Sequence, residues 1–548
     1  MKKRVLLAVA LVAITAFGLS AQAPKRGGVM KMTPSKQGVL IKNFNPFSPA
    51  ALDPTLGCFY ESLVYFNYAN GSANPWLAEK WAWSKDLKEI TFTLRNGVRF
   101  NDGSSLTADD IVYTAMLGKT NKALDISGLW ADGLESVTAG PGGTVAFRFK
   151  DVNVTTLEKF GAMYALPKAI WSKVTDPVTW TGNDNPIGTG PFKLDPASFN
   201  EQSFKIVRNP HYWQMGTDGK ALPYIDGIQY VSTTNEQIGF KLLAGEYDWA
   251  AYALPNAEDF VKADPENNKY WFPEGNLVFL YMNNLREPFD NANVRKAFAQ
   301  AISQKDITRK MSPSPVPANM SAVKKSFSEI AKNGLAKYDI KADAAKAKKA
   351  LEAEGFKINA KGLYEKAGKA LSFKLYVPTG WTDWVGAAEI VAGMLKEIGV
   401  EAIITQTAWP DPYQTDLELG NYEMAINFIS TGSNPQYQFN RWLHSTKFAP
   451  NGQKAPVFSN MRYKNADIDK NLDAYRAEPD AAKQKAYMAV VVEQFMKDTP
   501  CVPLFFNPTW FEYTTKNFVG WPSLEDPYAW PIVGGMQKAP ILLKLQKK

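Results

Sequence analysis

The sequence predicts a mixed α/β chain folded into two or three lobes, and three observations carry that prediction. About 525 residues follow a short apolar amino-terminal stretch, well beyond the roughly 250 to 300 residues at which one hydrophobic core stops growing. Strand-like and helix-like hydrophobic patterns succeed one another along the chain, first as a strand, turn and helix over 91–116 and later as a strand-helix-strand unit over 371–405. A composition of 45% hydrophobic and 21% charged residues is that of a globular protein, not a disordered one.

Residues 1–23 read as a secretory signal: Lys2, Lys3 and Arg4 precede an apolar run from Val5 to Leu19 and a Ser-Ala-Gln-Ala end. Cleavage after Ala23 fits the A-x-A pattern, with Ser20 and Ala21 as alternatives because Pro24 is an awkward residue to follow a cut. The run is too short for a stable membrane anchor, and no cysteine lies there to carry a lipid. With no second apolar run of membrane length, the mature chain is expected to be soluble and to reside in the periplasm or another extracytoplasmic space.

Charge and rare residues exclude several function classes. The formal net charge of +8 includes the three cations of the signal, and no basic tail is present, so nucleic acid is not an expected partner. Cys58 and Cys501 are too few for a disulfide scaffold, and two buried thiols are expected, a bridge between them being the alternative. His211 and His444 are the only histidines, and neither C-x-x-C nor H-E-x-x-H occurs, which leaves little material for a zinc site or histidine-based catalysis. Phosphate-binding G-x-x-x-x-G-K-[ST] and G-x-G-x-x-G strings are also missing, so neither cofactor nor metal is expected. His211 is read as a packing residue.

The stretch 91–116 alternates Phe92, Leu94 and Val98 or Phe100 with polar neighbours, turns at Asn101-Asp102-Gly103, and enters a helix capped by Thr107 and Asp110. Capping accounts for Asp109-Asp110 without any catalytic role. The string from Leu94 to Val112, L-R-N-G-V-R-F-N-D-G-S-S-L-T-A-D-D-I-V, closely resembles the signature of the family 5 solute-binding proteins of ABC importers, which serve peptides, nickel and oligosaccharides. Further strings resemble the same family: Asn43 to Phe47 (N-F-N-P-F), Ile187 to Leu194, Asn209 to Trp213 and Leu242 to Asp248. The resemblance implies a type II periplasmic binding protein fold, two α/β lobes joined by a hinge plus a third appended lobe. Lobe I takes 24–59, 186–275 and 496–548, lobe II takes 60–185, and lobe III takes 276–495. By the same resemblance the N-F-N-P-F loop lines the ligand cleft, which makes Asn43 and Asn45 candidate ligand contacts.

In the third lobe, Val294, Ala297, Phe298, Ala301 and Ile302 recur at helical spacing, and a second helix over Asp343 to Glu354 stops at Gly355. Leu371 to Val377 alternates as a strand, Pro378 to Trp384 reads as a loop, Ala387 to Ile398 as an amphipathic helix and Val400 to Thr405 as a strand. Two such strands should run parallel, and the ligand crevice of an open α/β sheet lies beyond the carboxyl ends of its strands. That rule puts Trp381 and Trp384 at the crevice mouth, and the strand Tyr422 to Phe428 brings Asn427 and Phe428 toward the same edge. An indole offers a flat apolar face and one donor, which suits a pyranose.

The loop Ser430 to Pro435 carries only neutral polar groups, whereas the peptide-binding members of the family typically place an aspartate there to pair with the peptide amino terminus. G-W-T-D-W, from Gly380 to Trp384, resembles the oligosaccharide-binding members, and by that resemblance Trp510, in the segment 503–511 returning to lobe I, could stack on sugar. The expected function is therefore an extracytoplasmic receptor that captures a neutral, β-linked oligosaccharide of cello-, xylo- or manno-type between closing lobes. It would act as a monomer and deliver the sugar to an ABC permease, with ATPase subunits engaged indirectly. A peptide receptor of the same family is the alternative. A secreted glycoside hydrolase, which needs two carboxylates about 5 to 10 Å apart, competes from another class.

Overall fold

The computed structural model describes residues 23–548 except 36–38, 182, 252–253, 255–256, 312–314, 332–334, 433 and 456–458. The expected signal therefore lies outside the described residues but for Ala23.

The chain crosses between three sheets. It enters a seven-stranded sheet with β1 (Val29–Met32) and then leaves for a four-stranded antiparallel sheet made of β2 (Ala78–Trp83), β3 (Glu89–Leu94), β4 (Leu134–Gly140) and β5 (Thr144–Phe149), in the order β2-β3-β5-β4. Helix α1 (Ala108–Thr120) packs there, and its capping box forms as its sequence requires. The Asp110 carboxylate accepts the Thr107 backbone N–H at 2.9 Å and hydroxyl at 2.7 Å, and also the Lys168 N–H at 2.9 Å, so this acid ties the helix start to a neighbouring segment.

The chain then returns to the first sheet with β6 (Phe192–Asp195), β7 (Ser203–Arg208), β8 (Gly227–Val231), β9 (Trp249–Ala250) and β10 (Asn268–Tyr270). A six-stranded sheet follows, built from β11 (Glu274–Met282), β12 (Val316–Pro317), β13 (Ser372–Pro378), β14 (Glu401–Thr407), β15 (Met424–Ile429) and β16 (Cys501–Pro508), in the order β12-β16-β11-β15-β13-β14. The last crossing brings β17 (Glu512–Thr514) back to the seven-stranded sheet, between β10 and β9.

Strand β16 lies later in the six-stranded sheet than the expected boundary at 496 allows. Its apolar run pairs along β11, and the chain rejoins the first sheet only at Glu512. A run of buried residues belongs wherever both faces are covered, and periodicity alone does not say which sheet supplies the cover.

The third-lobe helices form as patterned. Asn291 caps α2 (Ala292–Ala301), whose Val294, Ala297, Phe298 and Ala301 are buried, and Asp343 caps α3 (Ala344–Ala353), which ends before Gly355 at a left-handed φ of 86°. One apolar cluster runs through both the seven-stranded and the four-stranded sheets, while a second fills the six-stranded lobe. Cys58 belongs to the first cluster and Cys501 to the second; both are free and buried.

Candidate functional site

In the six-stranded sheet β13 runs parallel to β14 and β15, while β11 runs antiparallel to β15 and β16. Strands β13, β14, β15 and β16 therefore all point the same way. Their carboxyl ends, at Pro378, Thr407, Ile429 and Pro508, meet the amino end of β11 at Glu274 along one edge.

The crossings to lobe I leave from that edge. Between the sheets the two crossing segments stay paired: Trp271 N–H donates to Phe511 O and Thr509 N–H to Pro273 O, each at 3.0 Å. With β10 and β17 paired on one side and β11 and β16 on the other, the connection is a continuous antiparallel ribbon that joins the two sheets and stands where a hinge would lie. Gly275 lets it pass closely, since a Cβ there would lie 2.5 Å from Asn507 O.

Aromatic residues line the edge in a row. Trp384 contacts Phe428 with ring centroids 5.8 Å apart and Trp381 at 4.7 Å, Trp381 contacts Trp409 at 5.1 Å, and Trp409 contacts Tyr413 at 5.8 Å. Trp384 Nε1 reaches Asn507 Oδ1 at 3.4 Å. Beyond Asn507, Glu274 Oε2 accepts the Lys325 N–H at 2.9 Å, and the ammonium of Lys324 lies 4.3 Å from the centre of the Trp530 ring, which belongs to the carboxy-terminal segment. Asn434 donates at 2.8 Å to Glu158 of the second lobe and also caps the helix α5 (Pro435–Leu443). Thr431 donates to Gly275 O at 3.2 Å.

The expected site residues distribute unevenly over this edge. Trp384 is not in a loop: the helix α4 starts at Thr382 (Thr382–Glu397), with Trp381 as its N-cap, and the first turn carries Trp384 inward to 1% exposure. The amphipathic stripe of this helix begins with Trp384 itself, three residues before Ala387, and the Gly-Trp start masks that period. Trp381 stays half-buried, and Trp409, which the sequence pattern does not single out, is 37% exposed.

Phe428 packs on Trp384, whereas Asn427, next to it on β15, is buried and pairs opposite Phe279; adjacent strand residues face opposite sides, so the two do not share one surface. Trp510 sits in the hinge ribbon against Phe272, with ring centroids 5.1 Å apart.

Asn43 and Asn45, expected at the cleft, serve the loop that contains them. Asn43 Oδ1 accepts the Asn45 N–H at 3.0 Å and its amide donates to Ser48 at 3.0 Å. The buried Asn45 amide donates to the carbonyls of Pro177, at 2.8 Å, and Trp180, at 3.1 Å. A structural role accounts for both. His211, expected to pack, is exposed: the buried Asn209 accepts its backbone N–H at 2.9 Å and the next residue, Tyr212, takes the inward position.

Sequence reasoning missed the charged part of the edge. Lys324 is only 5% exposed, and burial pushes its ammonium down to about 8, with Glu274 opposing that shift. Burial also raises the Glu274 carboxyl. No periodic pattern marks either residue, since one ends a loop and the other opens a strand. A groove of about 940 Å³ lined by Ser372 and Glu401 lies at the amino ends of β13 and β14, away from this edge. Among the described residues no cluster of metal-ligating side chains occurs, and no helix is long and apolar enough to cross a membrane.

Two α/β bodies joined by a paired ribbon, with the convergent strand ends facing the joint, define the class of hinged binding proteins that take a solute between their lobes. Residues 72–450 match the model of bacterial extracellular solute-binding proteins, family 5 Middle, and the chain belongs to that family. Its members are transport receptors of ABC importers, not enzymes, and act outside the cytoplasm with permease and ATPase partners.

Among curated relatives, the dipeptide-binding protein DppE of Bacillus subtilis is 24% identical over 536 residues, 91% of this chain and 92% of its own. A periplasmic oligopeptide-binding protein of Thermotoga maritima superposes with a TM-score of 0.85 at 26% identity, covering 95% of this chain and 99% of that one. A second structure of that protein, with mannohexaose bound, gives a TM-score of 0.75 at 25% identity over 96% and 99%.

Proposed function

We propose that this receptor captures a neutral oligosaccharide of cello-, xylo- or manno-type between lobes I and III and hands it to an ABC permease. The observation that carries this reading is the pair of indoles Trp381 and Trp409, backed by the buried Trp384, at the convergent strand ends. Flat apolar faces with single N–H donors match the C–H faces and hydroxyls of sugar rings and need no counter-ion. The mannohexaose complex of the Thermotoga maritima relative supports it, since that protein, named for oligopeptides, holds a sugar.

In the proposed cycle the ribbon opens, Trp381, Trp409 and Phe428 with Trp510 nearby meet the ligand, and binding to both walls favours the closed form by differential affinity. Trp384 backs this surface. The exported monomer, with its signal removed at or near Ala23, completes the reading.

Peptide capture is the second reading. Relatives named for peptides support it. Thermal shift and calorimetry with manno-, cello- and xylo-hexaose beside a peptide library decide between the two, because a ligand of the folded state raises the melting temperature by mass action. Sugar binding whose affinity hardly changes from low to moderate salt is the expected result. Stabilisation by peptides alone, with affinity falling steeply in salt, would overturn it.

A further inference from the structure

Lys324 is the most unusual polar group on the edge. It follows Ala322 and Val323, which are buried in the third lobe's core, and that packing leaves its side chain little freedom. The side chain spans from lobe III to Trp530, whose segment is tied to the first two lobes through the Asn67 amide and Tyr528 O at 2.8 Å. The ammonium has three donors, yet among the described residues it has no hydrogen-bond acceptor, only the ring face and the field of Glu274. A lysine side chain 5% exposed, whose ammonium meets only a ring face among the described residues, gains when a ligand supplies an acceptor. Glu274 acts on it through its charge, with one oxygen held by the Lys325 N–H at 2.9 Å and no partner of its second oxygen among the described residues.

We infer that Lys324 is the polar anchor of the ligand site, its ammonium exchanging the Trp530 ring for hydroxyl oxygens of the bound sugar while Glu274 accepts the proton of a neighbouring hydroxyl. This inference rests on the oligosaccharide reading and names a residue that sets specificity for it. A donor beside an acceptor suits adjacent hydroxyls, each of which can both accept and donate. A free carboxylate would be drawn to Lys324 and repelled by Glu274, so the pair favours a neutral polyol over an anionic terminus.

The test titrates wild type, Lys324→Met, Lys324→Arg and Glu274→Gln with mannohexaose, cellohexaose and xylohexaose by calorimetry, and records the melting temperature of each protein without ligand. For whichever hexaose binds wild type, Lys324→Met is expected to lose about tenfold to a hundredfold in affinity, the range of hydrogen bonds to charged groups. Lys324→Arg should keep part of the binding, and Glu274→Gln should lose less than Lys324→Met. The ligand-free melting temperature of Lys324→Met should hold or rise, because an unpaired buried charge has been removed. A hexaose bound by wild type and Lys324→Met within twofold of each other would overturn the inference and leave the oligosaccharide reading standing. Binding of peptides by wild type with no response to any hexaose would instead overturn the oligosaccharide reading and, with it, the ligand class assigned to Lys324.

Discussion

The two seams of this molecule are built on opposite plans. Between lobes I and II a single apolar cluster is continuous, and two buried polar side chains there, Asn45 and Glu61, are held by the chain itself. Asn45 donates to the carbonyls of the 177–180 loop. Glu61 accepts from Trp76 Nε1 at 2.7 Å, Tyr212 Oη at 2.9 Å and Trp213 Nε1 at 3.2 Å. Across the hinge the apolar clusters are separate, a two-stranded ribbon makes the connection, and Lys324 lies in the seam with no acceptor among the described residues. Asn45 and Glu61, satisfied within the chain, tie lobes I and II together, whereas the connection across the ribbon carries a lysine that meets only a ring face among the described residues.

The largest expected effect tests how far the mobile seam is also core. Trp384→Ala should lower stability by about 3 to 5 kcal/mol, the usual cost of deleting a buried Trp, and also weaken sugar binding; urea unfolding beside calorimetry separates the two. A loss of binding with stability intact would show that Trp384 faces the open cleft and would break the contrast drawn here.

The rigid seam has a pH signature of its own. Burial pushes the Glu61 carboxyl up from 4.5 to about 7, against the pull of its three donors. Between these values the folded state binds the proton that the unfolded state has lost, so stability falls as pH rises from 4.5 to about 7 and is flat on either side. The change is on the order of 3 kcal/mol. It should be absent from the stability curve of Glu61→Gln, measured by urea unfolding between pH 4 and 8. A variant with the wild-type slope would remove Glu61 as its source.

Gly275→Ala tests the ribbon. A methyl group 2.5 Å from Asn507 O forces the two crossing segments apart, at about 1 to 3 kcal/mol for an overpacked site. Small-angle scattering should report an altered distribution of lobe separations. An unchanged profile would mean that the hinge lies elsewhere.

Two smaller effects sharpen the contrast. Asn45→Ala leaves part-buried carbonyls without a donor and should cost about 1 to 2 kcal/mol while ligand affinity stays put. Trp409→Ala, at an exposed position, should shift stability by under about 0.5 kcal/mol yet weaken sugar binding roughly tenfold through lost stacking. If Asn45→Ala weakens binding and Trp409→Ala does not, the assignment of the two regions is reversed.

Much of the architecture is local and therefore legible in the residues. Thr107 and Asp110 cap α1 from three residues apart, Asn291 and Asp343 start the next helices, and the alternation of 372–378 and 401–407 yields two parallel strands on either side of α4. Each rests on contacts within a few residues of itself, so pattern and spacing suffice to predict it. The parallel direction of β13, β14 and β15 likewise follows from connectivity alone, and with it the edge at which the proposed site is placed.

What depends on distant partners was decided only by the tertiary structure. An extra turn at the start of α4 turned Trp384 from a loop aromatic into a buried one, since Phe428 and Asn507 were there to receive it. Pairing along β11 drew Cys501–Pro508 into the six-stranded sheet. The carbonyls at 177–180, more than 130 residues along the chain, claimed the Asn45 amide. Lys324 acquired its place only when a tryptophan some 200 residues away packed against it. Sequence sets what a segment prefers by itself, and burial, which depends on what arrives from elsewhere, determines which polar groups are satisfied and which remain for a ligand.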